Sequence, residues 1–136
     1  MDPRRCPGEE LQHTHRLRLP SGVVLGEGVL RQLVGTDKTT AEQLGRLSEH
    51  RPNVVVQVLP YRAGAHPALT GSFNIVGFPA SSDLDVVYLE NMASALYLEE
   101  AEDVRRYASV FDYLRAMALS PKESADMLAQ AADALA

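Results

Sequence analysis

The sequence is poor in cysteine and in long apolar runs. Cys6 is its single cysteine and therefore cannot form an internal disulfide. Its place in a proline-flanked segment predicts an ordinary exposed thiol rather than a nucleophile. No apolar run approaches the ~20 residues of a membrane-spanning helix. The first residues, MDPRRCPGEELQHTHR, have no apolar segment after the arginine pair and so do not resemble a secretory signal. We expect a cytoplasmic protein with no membrane contact.

Positive charge is missing from the middle of the chain. No lysine or arginine occurs between Arg62 and Arg105, although the formal net charge of the whole chain is only −5. The same stretch carries the carboxylates of Asp83, Asp85, Glu90, Glu99, Glu100, Glu102 and Asp103. Such a surface repels a phosphate backbone, so we predict no direct nucleic-acid binding. It would favour a cationic ligand or a basic partner instead.

The sequence also lacks the short motifs of well-known active sites. It has no phosphate-binding glycine loop, no paired cysteines, no His-x-x-x-His and no Gly-x-Ser-x-Gly. His13 and His15 lie close together but have no obvious further ligands, which makes them a poor metal site. The predictions are therefore no cofactor and no metal.

The most informative stretch runs from Asn53 to Phe78, NVVVQVLPYRAGAHPALTGSFNIVGF. Its pattern predicts a strand over Val54–Leu59, a loop over Pro60–Gly71 and a second strand over Ser72–Phe78. The first strand is apolar on almost both faces, which is typical of a strand in the middle of a covered sheet. The loop is too long for a tight hairpin, and its prolines and glycines predict defined bends.

The flanking patterns predict an α+β fold. We expect strands before Gly26, at Asp85–Glu90 and at Leu96–Leu98, and helices at 37–50, 101–118 and from Ser120 onward. Ser120, Pro121 and Glu123 form an N-terminal capping signature for the last helix. The predicted architecture has two layers: a mostly antiparallel sheet of four or five strands, packed by a helix and a C-terminal helix pair. Residues 1–15 would form a flexible arm and residues 16–136 a single domain.

The loop and the strands around it supply the candidate ligand-binding residues. The site that we predict on one side of the loop uses Tyr61, Arg62, His66, Thr70, Phe73, Tyr88 and Tyr97. Each of these types also has an ordinary structural role. A loop histidine commonly braces backbone groups, and tyrosines in a small sheet commonly lie at the edge of the core.

A second set of residues would matter only if the protein is an enzyme. Histidine is the side chain type whose unperturbed pKa lies near neutrality, so His66 could carry protons, while Glu90, Glu27 and Tyr88 could assist it. Glu27 stands between two glycines, where backbone can approach a ligand closely. Glu90 shares a strand face with Tyr88, although a water-exposed position at the sheet edge is the commoner situation for a glutamate.

The run RPNVVVQVLPYRAGAHPALTGSFNIVGFP, with DVVYLE, ALYLE and ALSPKES after it, resembles a known family. It is similar to the C-terminal domain of actinobacterial Xre-type regulators, in which a helix-turn-helix precedes this domain. The resemblance covers roughly residues 16 to 136. It implies that the domain receives a signal, from a small molecule or from a small partner protein. No segment here resembles the helix-turn-helix, so we do not expect an operator-binding repressor.

Two hypotheses of function follow. In the first, the chain is a stand-alone binding module for a small molecule or a partner protein, with a possible homodimer. In the second, the same pocket serves a cofactor-free biosynthetic enzyme, such as a cyclase, isomerase or hydrolase. A further alternative is that the sequence is an excised part of a longer regulator.

Overall fold

The structure, a computed structural model, describes residues 21–78 and 85–136. Cys6, His13 and His15 lie outside the described residues. The described chain forms two compact units. The first unit contains the described residues up to Val58 together with Ser120–Ala136, and the second contains Leu59–Leu119.

The first unit is mainly helical. It contains strand β1 (Ser21–Gly26), helix α1 (Glu27–Arg31), helix α2 (Asp37–Ser48), strand β2 (Val54–Leu59) and the last helix, α4 (Pro121–Asp133). Strands β1 and β2 form a two-stranded sheet, and α2 packs against α4. Leu44 of α2 and Leu128 of α4 are buried in its core.

Threonine side chains connect α1 to α2. The Thr36 hydroxyl caps α2 by accepting the Thr39 backbone N–H at 3.1 Å. The buried Thr40 hydroxyl donates to the Val34 carbonyl at 2.8 Å and accepts the Val34 N–H at 3.1 Å. Gly35, at a φ of 76°, adopts the left-handed conformation that this reversal requires. The connection is thus held by side chains as well as by backbone.

Helix α4 is anchored at two points. Ser120 and Glu123 form the predicted capping box, in which each side chain accepts the other residue's backbone N–H. One turn later, the fully buried Ser124 hydroxyl accepts the backbone N–H of Val58 at 2.8 Å. That bond satisfies a buried donor of β2, which a strand at this depth cannot leave unpaired without cost.

The second unit is a three-stranded antiparallel sheet with a helix. Its strands are β3 (Asn74–Val76), β4 (Val86–Glu90) and β5 (Ala95–Leu98), in the order β3-β4-β5. Helix α3 (Ala101–Met117) packs against β3 and β4. Val87 in the central strand is fully buried, and it lies opposite Ile75 and Leu98 in the register.

The mixed α+β composition was predicted correctly, but the single sheet of four or five strands is wrong. The strands form two sheets, of two and three strands. β2 pairs with β1, whereas β3 pairs with β4. The predicted central position of β2 is therefore also wrong, and Val55 in its middle is 46% exposed. The helices of the predicted C-terminal pair, α3 and α4, belong to different units. A run of apolar residues indicates a strand without indicating its neighbours, because pairing is a nonlocal choice.

None of the helices in residues 21–78 and 85–136 combines the length and the apolar character needed to cross a bilayer.

Candidate functional site

A half-open hollow in the second unit has a volume of about 720 Å³. Three segments surround it. The first is the chain from Pro67 to Phe73, the second is the hairpin between β4 and β5, and the third is one face of α3. Its size falls within the ~300–1,000 Å³ of typical small-molecule sites. This hollow is the candidate functional site.

The first wall is shaped by two short 3-10 turns, Tyr61–Ala63 and Pro67–Thr70. Each turn ends at a glycine with positive φ: Gly64 at 78° and Gly71 at 149°. At Gly71 the backbone occupies a region that is essentially restricted to glycine. The wall therefore depends on a backbone conformation in which a residue with a side chain would be strained.

The base of the hollow is apolar and aromatic. Phe73 contacts Tyr107 of α3 edge to face, with ring centroids 5.0 Å apart. Leu89, Leu96 and Leu98 complete this surface from the hairpin. Aromatic pairs of this kind add stability beyond their buried area, so the base is a firm apolar surface that a ligand could contact.

The rim of the hollow is polar and carries charges of both signs. Arg106 and Asp103 reach it from α3, and Glu90 reaches it from the end of β4. Among the described residues, Arg106 makes no ion pair. At the hairpin, the Asn91 carboxamide oxygen accepts the backbone N–H groups of Ala93 and Ser94, each at 2.9 Å. The guanidinium of Arg106 is thus a positive charge at the rim that makes no ion pair with a described carboxylate.

A smaller hollow of about 510 Å³ adjoins the first along α3. The two share Pro67, Arg106 and Val110, and Tyr113 lies at the far end of the smaller one. Arg106 therefore borders both hollows.

The residues predicted from the sequence are only partly brought together. Thr70, Phe73 and Glu90 line the larger hollow, whereas the remaining candidates do not: Tyr61, Arg62, His66, Tyr88 and Tyr97. His66 lies between the two 3-10 turns, and its buried Nδ1 has no hydrogen-bond partner among the described residues. Glu27 belongs to the first unit, where it begins α1 and pairs with Arg31 at 3.6 Å.

Tyr88 and Tyr97 form a separate cluster on the sheet face that carries Glu90. They lie opposite each other in the β4–β5 register, with ring centroids 5.0 Å apart. Hydrogen bonding of the Tyr88 hydroxyl toward the Glu90 carboxylate is the main reason that the pKa of Tyr88 is raised above 10.0. Burial and the negative charge of Glu90 act in the same direction. Tyr88 is consequently a proton donor, not a phenolate, near neutral pH.

Four polar residues of the rim were missed by the sequence reasoning: Asn91, Ser94, Asp103 and Arg106. The sequence predicted α3 as a helix and assigned no site residue to it; its apolar stripe includes Tyr107. Asp103 and Arg106 lie beside that stripe at i, i+3 spacing, so they share its edge. That spacing was the available signal. The hairpin residues gave no comparable signal, because their role depends on strand pairing.

In the part of the chain that the structure describes, no three histidine, cysteine or carboxylate side chains are grouped as they would be around a metal ion.

Comparison with protein families matches residues 9–130 to a domain of unknown function (DUF5753). Neither the curated proteins nor the solved structures contain a significant match. The matched segment spans nearly all of the sequence, including the whole of the larger hollow. The chain belongs to the DUF5753 family.

Proposed function

We propose that the chain is a binding module that takes a small molecule, or a segment of a partner protein, in the larger hollow of the second unit. The observation that carries this proposal is the combination of an apolar base with Arg106 at the rim, which makes no ion pair with any described carboxylate. Binding sites typically pair a mostly apolar lining with a few orienting polar groups. The sequence resemblance to the sensing domains of Xre-type regulators supports a signal-receiving role.

The two chemical parts of the hollow have different tasks. Phe73 and Tyr107 offer flat apolar surface that gains affinity when a ligand displaces water from it. Arg106 orients an anionic or carbonyl group of the ligand, because its guanidinium can donate several hydrogen bonds in one plane. A ligand with an aromatic or aliphatic body and one anionic group fits this arrangement.

Anilinonaphthalene sulfonate, an aromatic anion, is a suitable probe of this site. We expect its fluorescence to rise on binding and the affinity to fall by up to about fivefold in Arg106→Gln, since an exposed ion pair contributes at most about 1 kcal/mol. Arg105→Gln is the matched control, because Arg105 is the neighbouring arginine of α3 and does not line the hollow. Equal affinities of the two variants, or no binding by the folded protein, would contradict the proposal.

A second candidate function, a cofactor-free enzyme, is favoured by the contact between Tyr88 and Glu90. The pair places a proton donor beside a carboxylate that lines the hollow. The test is turnover of any small molecule that the hollow is found to bind, followed by mass spectrometry of the reaction mixture. Loss of turnover in both Glu90→Gln and Tyr88→Phe, with binding retained, would support catalysis. If the wild-type protein left the ligand chemically unchanged, the enzyme hypothesis would be excluded for that ligand, and only the binding-module hypothesis would remain.

A further inference from the structure

Among the described residues, strand β5 has one free edge. Within residues 21–78 and 85–136 it pairs only with β4. The Asn91 N–H donates to the Ser94 carbonyl at 2.9 Å, so Asn91 and Ser94 are a hydrogen-bonded pair of this antiparallel ladder. Hydrogen-bonded and non-hydrogen-bonded pairs alternate from there along the two strands. By the alternation of such ladders, Leu96 and Leu98 bond to β4, while the N–H and C=O groups of Ala95 and Tyr97 point away from it. The edge therefore presents donors and acceptors that another strand could use.

Natural proteins usually protect such an edge with a proline, a lysine or a bulge. The sequence of β5, Ala-Leu-Tyr-Leu, has no charged residue and no proline. It is also well exposed, since Leu96 is 54% and Tyr97 is 64% accessible. An unprotected and apolar edge is the kind of surface that accepts an added strand.

The two faces beside this edge differ chemically. Leu96 and Leu98 turn toward the hollow and its apolar base. The opposite face carries Tyr97 and, on the neighbouring strand, Tyr88 and Glu90; Glu90 is at the end of β4 and also borders the hollow. A strand added to β5 would alternate its own side chains between these two faces. Its inward residues would be apolar, and its outward residues would meet tyrosine rings and a carboxylate.

The charges around β5 specify the outward residues. Glu90 stands opposite Ala95 at one end of the strand, and Glu99 and Glu100 follow the other end. No lysine or arginine occurs between Arg62 and Arg105. Cationic side chains would pair with these carboxylates and lie over the tyrosine rings. A second copy of the chain would instead bring the same carboxylates against each other.

From these observations we propose that β5 receives an extended segment of a partner protein as a fourth strand, with apolar and cationic residues in strict alternation. The apolar residues enter the hollow beside Leu96 and Leu98, and the lysines or arginines lie on the face of Glu90 and Tyr97. This inference rests on the proposed binding role of the hollow and names the class of its partner; it uses the apolar lining of the hollow and does not require an anionic group at Arg106.

The probe is a fluorescein-labelled octapeptide of alternating valine and lysine. Its control is the octapeptide with the same composition in blocks of two, which has the same charge but the wrong period. By fluorescence polarisation, we expect the alternating peptide to bind at least about tenfold more tightly than the control. Equal affinity of the two peptides would overturn the proposal, because charge alone would then explain the binding.

Two substitutions test the edge directly. Tyr97→Pro removes the outward N–H without removing a bond to β4, whereas Tyr97→Thr keeps this donor and also loses the ring. We expect Tyr97→Pro to weaken binding of the alternating peptide at least about tenfold relative to Tyr97→Thr. Circular dichroism must show both variants folded. If Tyr97→Pro unfolds, Glu90→Gln takes its place, with Asp112→Asn of α3 as the control for charge. Equal binding by the variants of either pair would overturn the proposal.

The outcomes separate this inference from the proposed function. If anilinonaphthalene sulfonate binds in an Arg106-dependent manner and the alternating peptide shows no preference, only the partner class is wrong. If neither binds, both proposals fail. If analytical ultracentrifugation shows a dimer that Tyr97→Pro dissociates, a second copy occupies the edge, and the partner-strand proposal is overturned.

Discussion

The two units of this protein differ in the kind of apolar side chain that they expose. In the first unit the exposed large apolar side chains are aliphatic, whereas Leu128 in its core is completely inaccessible: the exposed ones are Val23, Val29, Leu33, Val34 and Val55. In the second unit several aromatic and aliphatic side chains are exposed: Tyr61, Leu69, Phe78, Leu96, Tyr97 and Tyr113. Some of them border the hollows or lie on the free edge of β5. The exposed aromatic rings therefore belong to the second unit, which is the unit where we propose the binding site.

The two units also differ in whether their buried polar groups have hydrogen-bond partners. In the first unit, the hydroxyls of Ser124 and Thr40 are buried and hydrogen-bonded to backbone groups. In the second unit, the Nδ1 atom of His66 is buried without a partner. An unsatisfied buried nitrogen costs stability, and such costs are commonly found near functional surfaces. Substitutions in the two units should therefore differ in size and in kind.

The largest expected effect comes from the core of the first unit. Leu128→Ala should lower the free energy of unfolding by about 2–5 kcal/mol, since it removes a fully buried side chain and leaves a cavity. Leu96→Ala, at an exposed leucine of the second unit, should cost less than about 0.5 kcal/mol. Urea denaturation followed by circular dichroism measures both. Similar losses would break the contrast between the units.

The bond between α4 and β2 should have the next largest effect. Ser124→Ala leaves the buried N–H of Val58 without its acceptor, and we expect a loss of about 1–3 kcal/mol. Ser109→Ala changes an exposed serine of α3 and should be close to neutral. Thermal unfolding of the two variants, compared with the wild type, measures the difference. A neutral Ser124→Ala would show that water replaces the hydroxyl.

The same glycine substitution should have opposite signs in the two units. Gly71→Ala should destabilise by about 1–3 kcal/mol, because alanine is strained at a φ of 149° even though its methyl group meets no other atom. Gly45→Ala lies within α2, where its methyl group also has space, and should stabilise by about 0.5–1 kcal/mol. Denaturation midpoints measure both effects, and equal signs would contradict the structure of the loop.

The smallest effect is the titration of Tyr88. Its pKa is raised from 10.0 in the folded chain, so its protonated form stabilises the fold below pH 10.0, and this contribution is lost as the pH rises through the folded-state pKa. Absorbance of tyrosinate should show that Tyr88 titrates above pH 10.0, and Glu90→Gln should move this titration back toward 10.0. Tyr113→Phe, at an exposed tyrosine, should leave the delayed titration in place. If the delayed titration disappeared in Tyr113→Phe, it would belong to Tyr113 and not to Tyr88.

Much of the secondary structure was predictable because it depends on neighbours in the chain. Helix α3, the capping box at Ser120 and the short strand at Leu96–Leu98 were all found where the sequence predicted them. Such features follow from a helical or extended period and from side chains that bond to nearby backbone. The bends of the Pro60–Gly71 loop follow in the same way from its glycines and prolines.

The candidate site was predictable only in part. Thr70 comes from the predicted Pro60–Gly71 loop and Phe73 from the strand predicted after it, and both line the larger hollow. Arg106 and Asn91 come from segments far along the chain, and only folding brings them to the same rim. The contact of Tyr88 with Glu90 was open to prediction, because residues two apart on a strand share a face.

The sequence alone therefore determined which segments are helical or extended and where the chain bends, because these depend on interactions over a few residues. The tertiary structure decided which strands pair, placing β2 beside β1 and β3 beside β4. It also decided that a buried serine would bond to a strand 66 residues away in the chain. The hollow and the free edge of β5 arise from that pairing. They belong to the tertiary level because each depends on contacts between segments that are distant in sequence.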